Sequence, residues 1–95
     1  MTSTTLHIVP TSPTATRLEE LWALLAPGDA VLFIEDGTYF AQQPEALASL
    51  AEQRLHFLEE DATARGVSPG PALALVDYAG FVALSADYPR SVSWY

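Results

Sequence analysis

Three groups of side chains in this sequence have types and spacings that could do chemistry. Glu35-Asp36-Gly37 places two adjacent carboxylates after an apolar run. Such a pair can bind Mg²⁺ or supply a general base. It is equally the composition of a polar turn that ends a strand. Glu59-Glu60-Asp61 is denser, but it stands where a helix begins, and there acids are stabilised by the helix dipole without any further role. His7 and His56 form the third group, at matching positions in two β-type runs. Were those strands neighbours, the imidazoles could share a metal. No cysteine, and no acid at ligand spacing to either ring, supports one, so hydrogen-bonded structural histidines are expected. Thr11-Ser12-Pro13 could offer hydroxyls and amides to an anion at a helix start. No glycine-rich phosphate loop follows the first strand, and no Ser/His/Asp order matches a hydrolase elbow. No catalytic, cofactor-binding or metal-binding residue is therefore assigned.

Composition narrows the classes further. The chain of 95 residues suits one small domain, 1–95, with residues 1–4 frayed at its start. Hydrophobic residues make up 49%, enough for a packed core with apolar surface to spare. Twelve acids face four basic residues, all Arg, for a net charge of −8. Nucleic-acid binding needs clustered Lys or Arg, so direct nucleic-acid contact is not expected. The absence of cysteine excludes disulfides, thiolate metal sites and cysteine nucleophiles. The start MTSTTLHIVP lacks the form of a signal peptide, and no apolar run approaches the roughly 20 residues of a membrane span. The cytoplasm is the expected compartment, with no membrane contact.

The elements that must position these residues alternate in kind. Thr5 to Val9 is β-branched and stopped by Pro10. Leu18, Leu21, Trp22, Leu24 and Leu25 fall at helical spacing, with Thr14 or Thr16 as cap and Pro27-Gly28 as stop. Ala30 to Ile34 is an unbroken apolar run, as in a strand covered on both faces. Asp36-Gly37 could turn it into a hairpin with Thr38-Tyr39-Phe40. The unbroken run favours instead a parallel strand with a helical segment starting after Gly37. Pro44 to Ala51 reads as a helix, Arg54 to Leu58 as a strand, Glu59 to Arg65 as a short helix stopped by Gly66, and Ala72 to Val76 as a strand. Asp77 caps a helix with an apolar stripe of Phe81, Val82 and Leu84; Gly80 makes it short or strained. Ser91 to Trp94 adds an edge strand after Pro89. The expected fold is α/β, a small three-layer arrangement with a mostly parallel sheet of about five strands. Ligands in such sheets lie beyond the carboxyl ends of the strands.

Tyr78, Phe81, Tyr88, Trp94 and Tyr95 cluster near the chain end. A domain this small seldom hides so many aromatics, and aromatics are enriched at the centres of interfaces.

Several stretches together resemble the TusB/DsrH family of the DsrE/DsrF/DsrH sulfur-relay group. They are Leu6-His7 with Ser12-Pro13 behind it, and Gly28-Asp29 leading into a strand that ends Glu35-Asp36-Gly37-Thr38-Tyr39. Leu58-Glu59-Glu60-Asp61 follows with Ala64-Arg65-Gly66, then Val76-Asp77-Tyr78, Phe81-Val82, Leu84, Pro89 and Trp94. The resemblance spans Leu6 to Trp94. It implies a DsrE/F-like, flavodoxin-related fold and assembly with homologous TusC- and TusD-like (DsrE/DsrF-like) subunits as a heterohexamer of two heterotrimers. In that family the complex passes persulfide sulfur to TusE, and the sulfur ends in the thiouridine at the wobble position of certain tRNAs. The related Dsr complex works in sulfur oxidation. Some DsrH proteins carry a cysteine in the first-helix region, where this chain has Leu18 to Leu25. Without a thiol it cannot hold sulfur covalently. A non-catalytic subunit is therefore expected, with Glu35, Asp36, Tyr39, Asp77, Tyr78, Phe81 and Trp94 as candidate partner contacts. Two other classes remain open: a small-ligand or anion-binding domain, self-associating in isolation, that uses the strand ends near His7, Ser12 and Asp36; and a small enzyme that uses Glu35 and Asp36.

Overall fold

The computed structural model describes residues 4–26, 28–49, 54–68 and 74–94. Their elements run β1 (Thr5–Val9), α1 (Ala15–Leu24), β2 (Ala30–Phe33), a 3₁₀ helix (Glu35–Gln42), α2 (Pro44–Ser49), β3 (Arg54–Leu58), α3 (Glu59–Ala64), β4 (Ala74–Val76), α4 (Tyr78–Asp87) and β5 (Arg90–Ser93). The five strands form one sheet in the order β4-β3-β2-β1-β5, and every pair is parallel. This is the expected α/β architecture.

Register sorts the strand residues onto two faces, because side chains alternate along a strand. His7 pairs with Val31 and Val31 with Leu55; Ile8 pairs with Leu32 and Leu32 with His56. One face buries Val9, Val31, Phe33 and Phe57 against Leu21 of α1, Phe40 of the 3₁₀ helix and Leu47 of α2. The Phe33 ring lies 4.9 Å from that of Phe57 and 4.8 Å from that of Phe40. Burying each such side chain contributes roughly 2–3 kcal/mol. The other face buries Leu6, Ala30 and Leu32, with Phe81, Leu84 and Tyr88 packed against them. The layers are thus unequal: α1, the 3₁₀ helix and α2 cover the first face, while α4 lies on the second. Right-handed crossovers require this, because β1, β2 and β3 step in one direction across the sheet and the β4-to-β5 connection returns.

Several boundaries differ from expectation. No hairpin follows β2. Its continuation is helical, but the 3₁₀ helix begins at Glu35 rather than after Gly37. The Gly37 N–H donates to the Ile34 carbonyl, and a Cβ at Gly37 would fall on the carbonyl oxygen of Val9. That contact, not a turn conformation, requires glycine there. Helix α4 runs ten residues despite Gly80. A Cβ on Gly80 would stand 3.0 Å from the Val76 Cβ, so glycine lets the first turn lie close against the strand before it. Val82 is not part of the inward stripe: it is 70% exposed, while Phe81 and Leu84 face the sheet. Strand β5 starts at Arg90, one residue early, and is an edge as expected. The expected residues Ala51, Ala72 and Leu73 lie outside the described set, as do residues 1–3 of the frayed start. Among the described residues no helix is long and apolar enough to cross a membrane.

Candidate functional site

Two polar constellations stand at opposite ends of the sheet. At the carboxyl ends of the strands, the acids that open α3 reach sideways. The Asp61 carboxylate accepts from the Glu35 N–H at 2.7 Å, and the Glu60 carboxylate from the Tyr78 N–H at 3.3 Å. Acids beside β3 thus hold the loops that follow β2 and β4. Arg65 completes the clasp. Its Nε donates to Asp36 at 2.9 Å and its Nη1 to the Asp61 carbonyl at 3.3 Å. The Asp36 hydrogen bond pushes the Arg65 guanidinium further up from its ordinary value. Glu35 itself takes a left-handed backbone conformation, φ 47°, which L-residues adopt at a penalty. Its carbonyl accepts from the Thr38 hydroxyl at 2.8 Å. Asp77 caps α4 as expected, accepting from the Gly80 N–H at 2.8 Å.

The chemistry open to this edge follows from those bonds. Asp36 is tied to Arg65, and Asp61 and Glu60 are occupied by backbone amides, so the acids act as clasps between neighbouring loops. They are also the wrong sign to receive an anion. The seven candidate contact residues sit differently. Glu35, Asp36, Asp77 and Tyr78 are exposed, Tyr39 and Phe81 are half-buried, and Trp94 is 7% exposed, inside the core.

The second constellation joins the amino-terminal half of the sheet to its last strand. His7 and Asp29 are 4% and 3% exposed. The Asp29 carboxylate accepts from the Thr5 N–H at 2.9 Å, the Ala26 N–H at 3.1 Å and His7 Nε2 at 2.9 Å. The Trp94 indole Nε1–H donates to His7 Nδ1 at 3.1 Å. An indole N–H can only donate, so Nδ1 is the bare nitrogen and the ring proton sits on Nε2, facing Asp29. Burial alone would raise the Asp29 pKa; the His7 bond and the two amides outweigh it and hold the carboxyl below its ordinary value. With both nitrogens engaged, His7 has none left to move a proton for a substrate. It is a hydrogen-bonded structural histidine, as expected. Arg17 lies over the Trp94 ring, 5.4 Å from its centroid. An open cleft of about 510 Å³ borders this network, lined by Thr5, Leu24, Asp29, Arg90 and Val92.

The expected condition for a shared His7–His56 site fails. β2 separates their strands, and the register puts the two rings on opposite faces of the sheet. Among the described residues, no group of three His, Asp or Glu side chains is placed to hold a metal ion. Sequence reasoning missed Asp29 as the partner of His7. The usable signal was its position one residue before β2, level with the start of β1. The cross-loop reach of Glu60 and Asp61 had no signal in sequence, because it depends on strand order.

The profile of the family described as DsrH like protein matches residues 11–91 of the chain. Protein TusB of Erwinia tasmaniensis is 36% identical over 94 residues, an alignment covering 94% of this chain and 99% of that protein. Protein TusB of Sodalis glossinidius and Protein TusB of Escherichia coli are each 34% identical over the same shares. The chain is therefore a member of the DsrH-like family.

Proposed function

We propose that this chain is a non-catalytic subunit of a cytoplasmic sulfur-relay complex. In this reading it assembles with TusC-like and TusD-like homologous subunits in a heterohexamer, and the complex passes persulfide sulfur onward for thiolation of the tRNA wobble uridine. The observation that carries the reading is family membership in a chain without a single cysteine. Sulfur travels as a persulfide, which requires a thiolate, so a chain lacking one serves the relay by contact.

The surface supports such contact. Helix α4 carries no charge from Tyr78 to Ala86, and its outer side leaves Val82 70% and Tyr78 56% exposed. Uncharged apolar helix surface of this kind is what a partner covers. We place the homologous subunits against α4 and the adjoining strand ends, with Glu35, Asp36, Tyr39, Asp77 and Tyr78 at the contact and Phe81 beneath it. Trp94 supports that surface from inside the chain.

The test is co-expression with the TusC-like and TusD-like chains of the same genome, followed by native mass measurement. One complex containing all three chains is expected, and Val82→Asp should release this chain from it while leaving the free chain folded. Recovery of the chain only by itself would refute the reading. Loss of wobble thiolation on gene deletion is the matching cellular readout; intact thiolation with impaired sulfur oxidation would move the subunit to the Dsr branch.

A further inference from the structure

A groove of about 790 Å³ runs between α1 and the segment where the 3₁₀ helix meets α2. Trp22 lines it and is 61% exposed, although Leu21 beside it is fully buried. Tryptophan is the residue type most enriched among interface hot spots, and a large exposed indole beside a concavity is seldom left uncovered. Phe40 closes the floor together with Leu18. Thr14 and Gln43 supply hydrogen-bonding groups, and Glu19 on α1 and Glu45 on α2 bring one carboxylate from each wall.

The charges identify the occupant. Neither Glu19 nor Glu45 forms an ion pair among the described residues, whereas Arg17 is engaged by Glu20 at 3.6 Å and by the Trp94 ring. The chain has no lysine and a net charge of −8, so basic groups for this groove must come from another molecule. A second copy would bring the same acids and the same net charge, and like charges disfavour it. We infer that the groove docks a short segment of a different protein, one that places a bulky apolar side chain on Trp22 with Lys or Arg on either side. This goes beyond the assembly reading and does not depend on it, because α4 lies on the opposite face of the sheet.

The experiment replaces Trp22 in the full chain with photoreactive p-benzoylphenylalanine, irradiates living cells and maps the cross-linked peptide by mass spectrometry. The expected adduct is on a segment of another polypeptide with basic residues flanking an apolar one. That segment, made as a synthetic peptide, should bind the free chain. Trp22→Ala should weaken binding about thirtyfold or more. Glu19→Gln with Glu45→Gln should weaken it severalfold and flatten its salt dependence, and these two changes leave the fold intact. Adducts only between copies of this chain, adducts on an acidic or uncharged segment, or no adduct would each overturn the proposal. Co-purification through α4 would be unaffected by any of those results, so failure here is distinct from failure of the assembly reading.

Discussion

The indole N–H of Trp94 donates to the imidazole of His7 at 3.1 Å across 87 positions of sequence, tying the end of the chain to its first strand. Asp29 holds the other side of the same ring at 2.9 Å. The three side chains therefore bind β1, β2 and β5 together through one imidazole. Trp94→Phe keeps the aromatic bulk but deletes the donor, leaving the buried Nδ1 without its partner. Unfolding in urea should show a loss of about 1–3 kcal/mol. Nitrogen-15 NMR of the unsubstituted chain should find the proton of His7 on Nε2. A proton on Nδ1 would contradict the arrangement.

Asp29 gives the fold an acid limit. Its carboxyl lies below its ordinary value of 3.8 in the folded chain. A depressed carboxyl contributes stability that is complete above the unfolded value and is lost as pH falls through the folded one. Stability should therefore decline below about pH 4, and Asp29→Asn should flatten that part of the decline. Asp29→Ala should cost roughly 2–5 kcal/mol at neutral pH, because His7 and the Thr5 and Ala26 amides lose an acceptor together. Melting temperature against pH for the three chains checks both statements.

Most of the fold was legible because its signals are local. The unbroken run from Ala30 to Phe33, the Thr14 and Asp77 caps and the alternation of elements specify a parallel α/β sheet without knowledge of strand order. What depends on strand order was not legible. His7 and His56 occupy matching positions in their own strands, yet β2 lies between them and an odd register step puts them on opposite faces. The acids at Glu59 to Asp61 look like dipole partners of their own helix, and locally they are. That they also hold the loops after β2 and β4 follows only once those strands flank β3.

Gly37 is the tightest point of the carboxyl edge. Any side chain there meets the Val9 carbonyl, which also accepts from the Ile34 N–H at 3.1 Å. Backbone cannot yield as a flexible side chain can. Gly37→Ala should destabilise the chain by about 4 kcal/mol or more, measured as a fall in the urea midpoint. A loss under about 1 kcal/mol would show that the edge moves freely.

Glu35 invites the opposite experiment. It holds φ 47° while its N–H is fixed by Asp61. Glu35→Gly removes the side-chain penalty of that conformation, less the extra freedom glycine has when unfolded, for an expected gain of up to about 1 kcal/mol. Asp61→Ala removes the acceptor and should cost about 1 kcal/mol. In the double variant the two effects should not add, since both act on one amide. If Glu35→Gly were more stable yet failed to enter the complex, the carboxylate would be identified as a partner contact.

His56 is the least comfortable group in the sheet. Both its ring nitrogens are buried, and neither has a hydrogen-bond partner. Burial, with the nearby Arg54 charge adding to it, pushes its pKa below the ordinary 6.5. The fold thus keeps the ring neutral. As pH falls below 6.5 the unfolded chain takes up a proton first, so stability drops until the folded ring can also titrate. His56→Leu replaces two orphaned polar atoms by an apolar group among Leu32, Leu58 and Val76. It should raise stability at pH 7 by about 1 kcal/mol and remove the decline that starts near 6.5, leaving only the lower limb due to Asp29. A loss of stability on this change would mean that the imidazole finds a partner in solution, and the assembled complex would be the place to look for it.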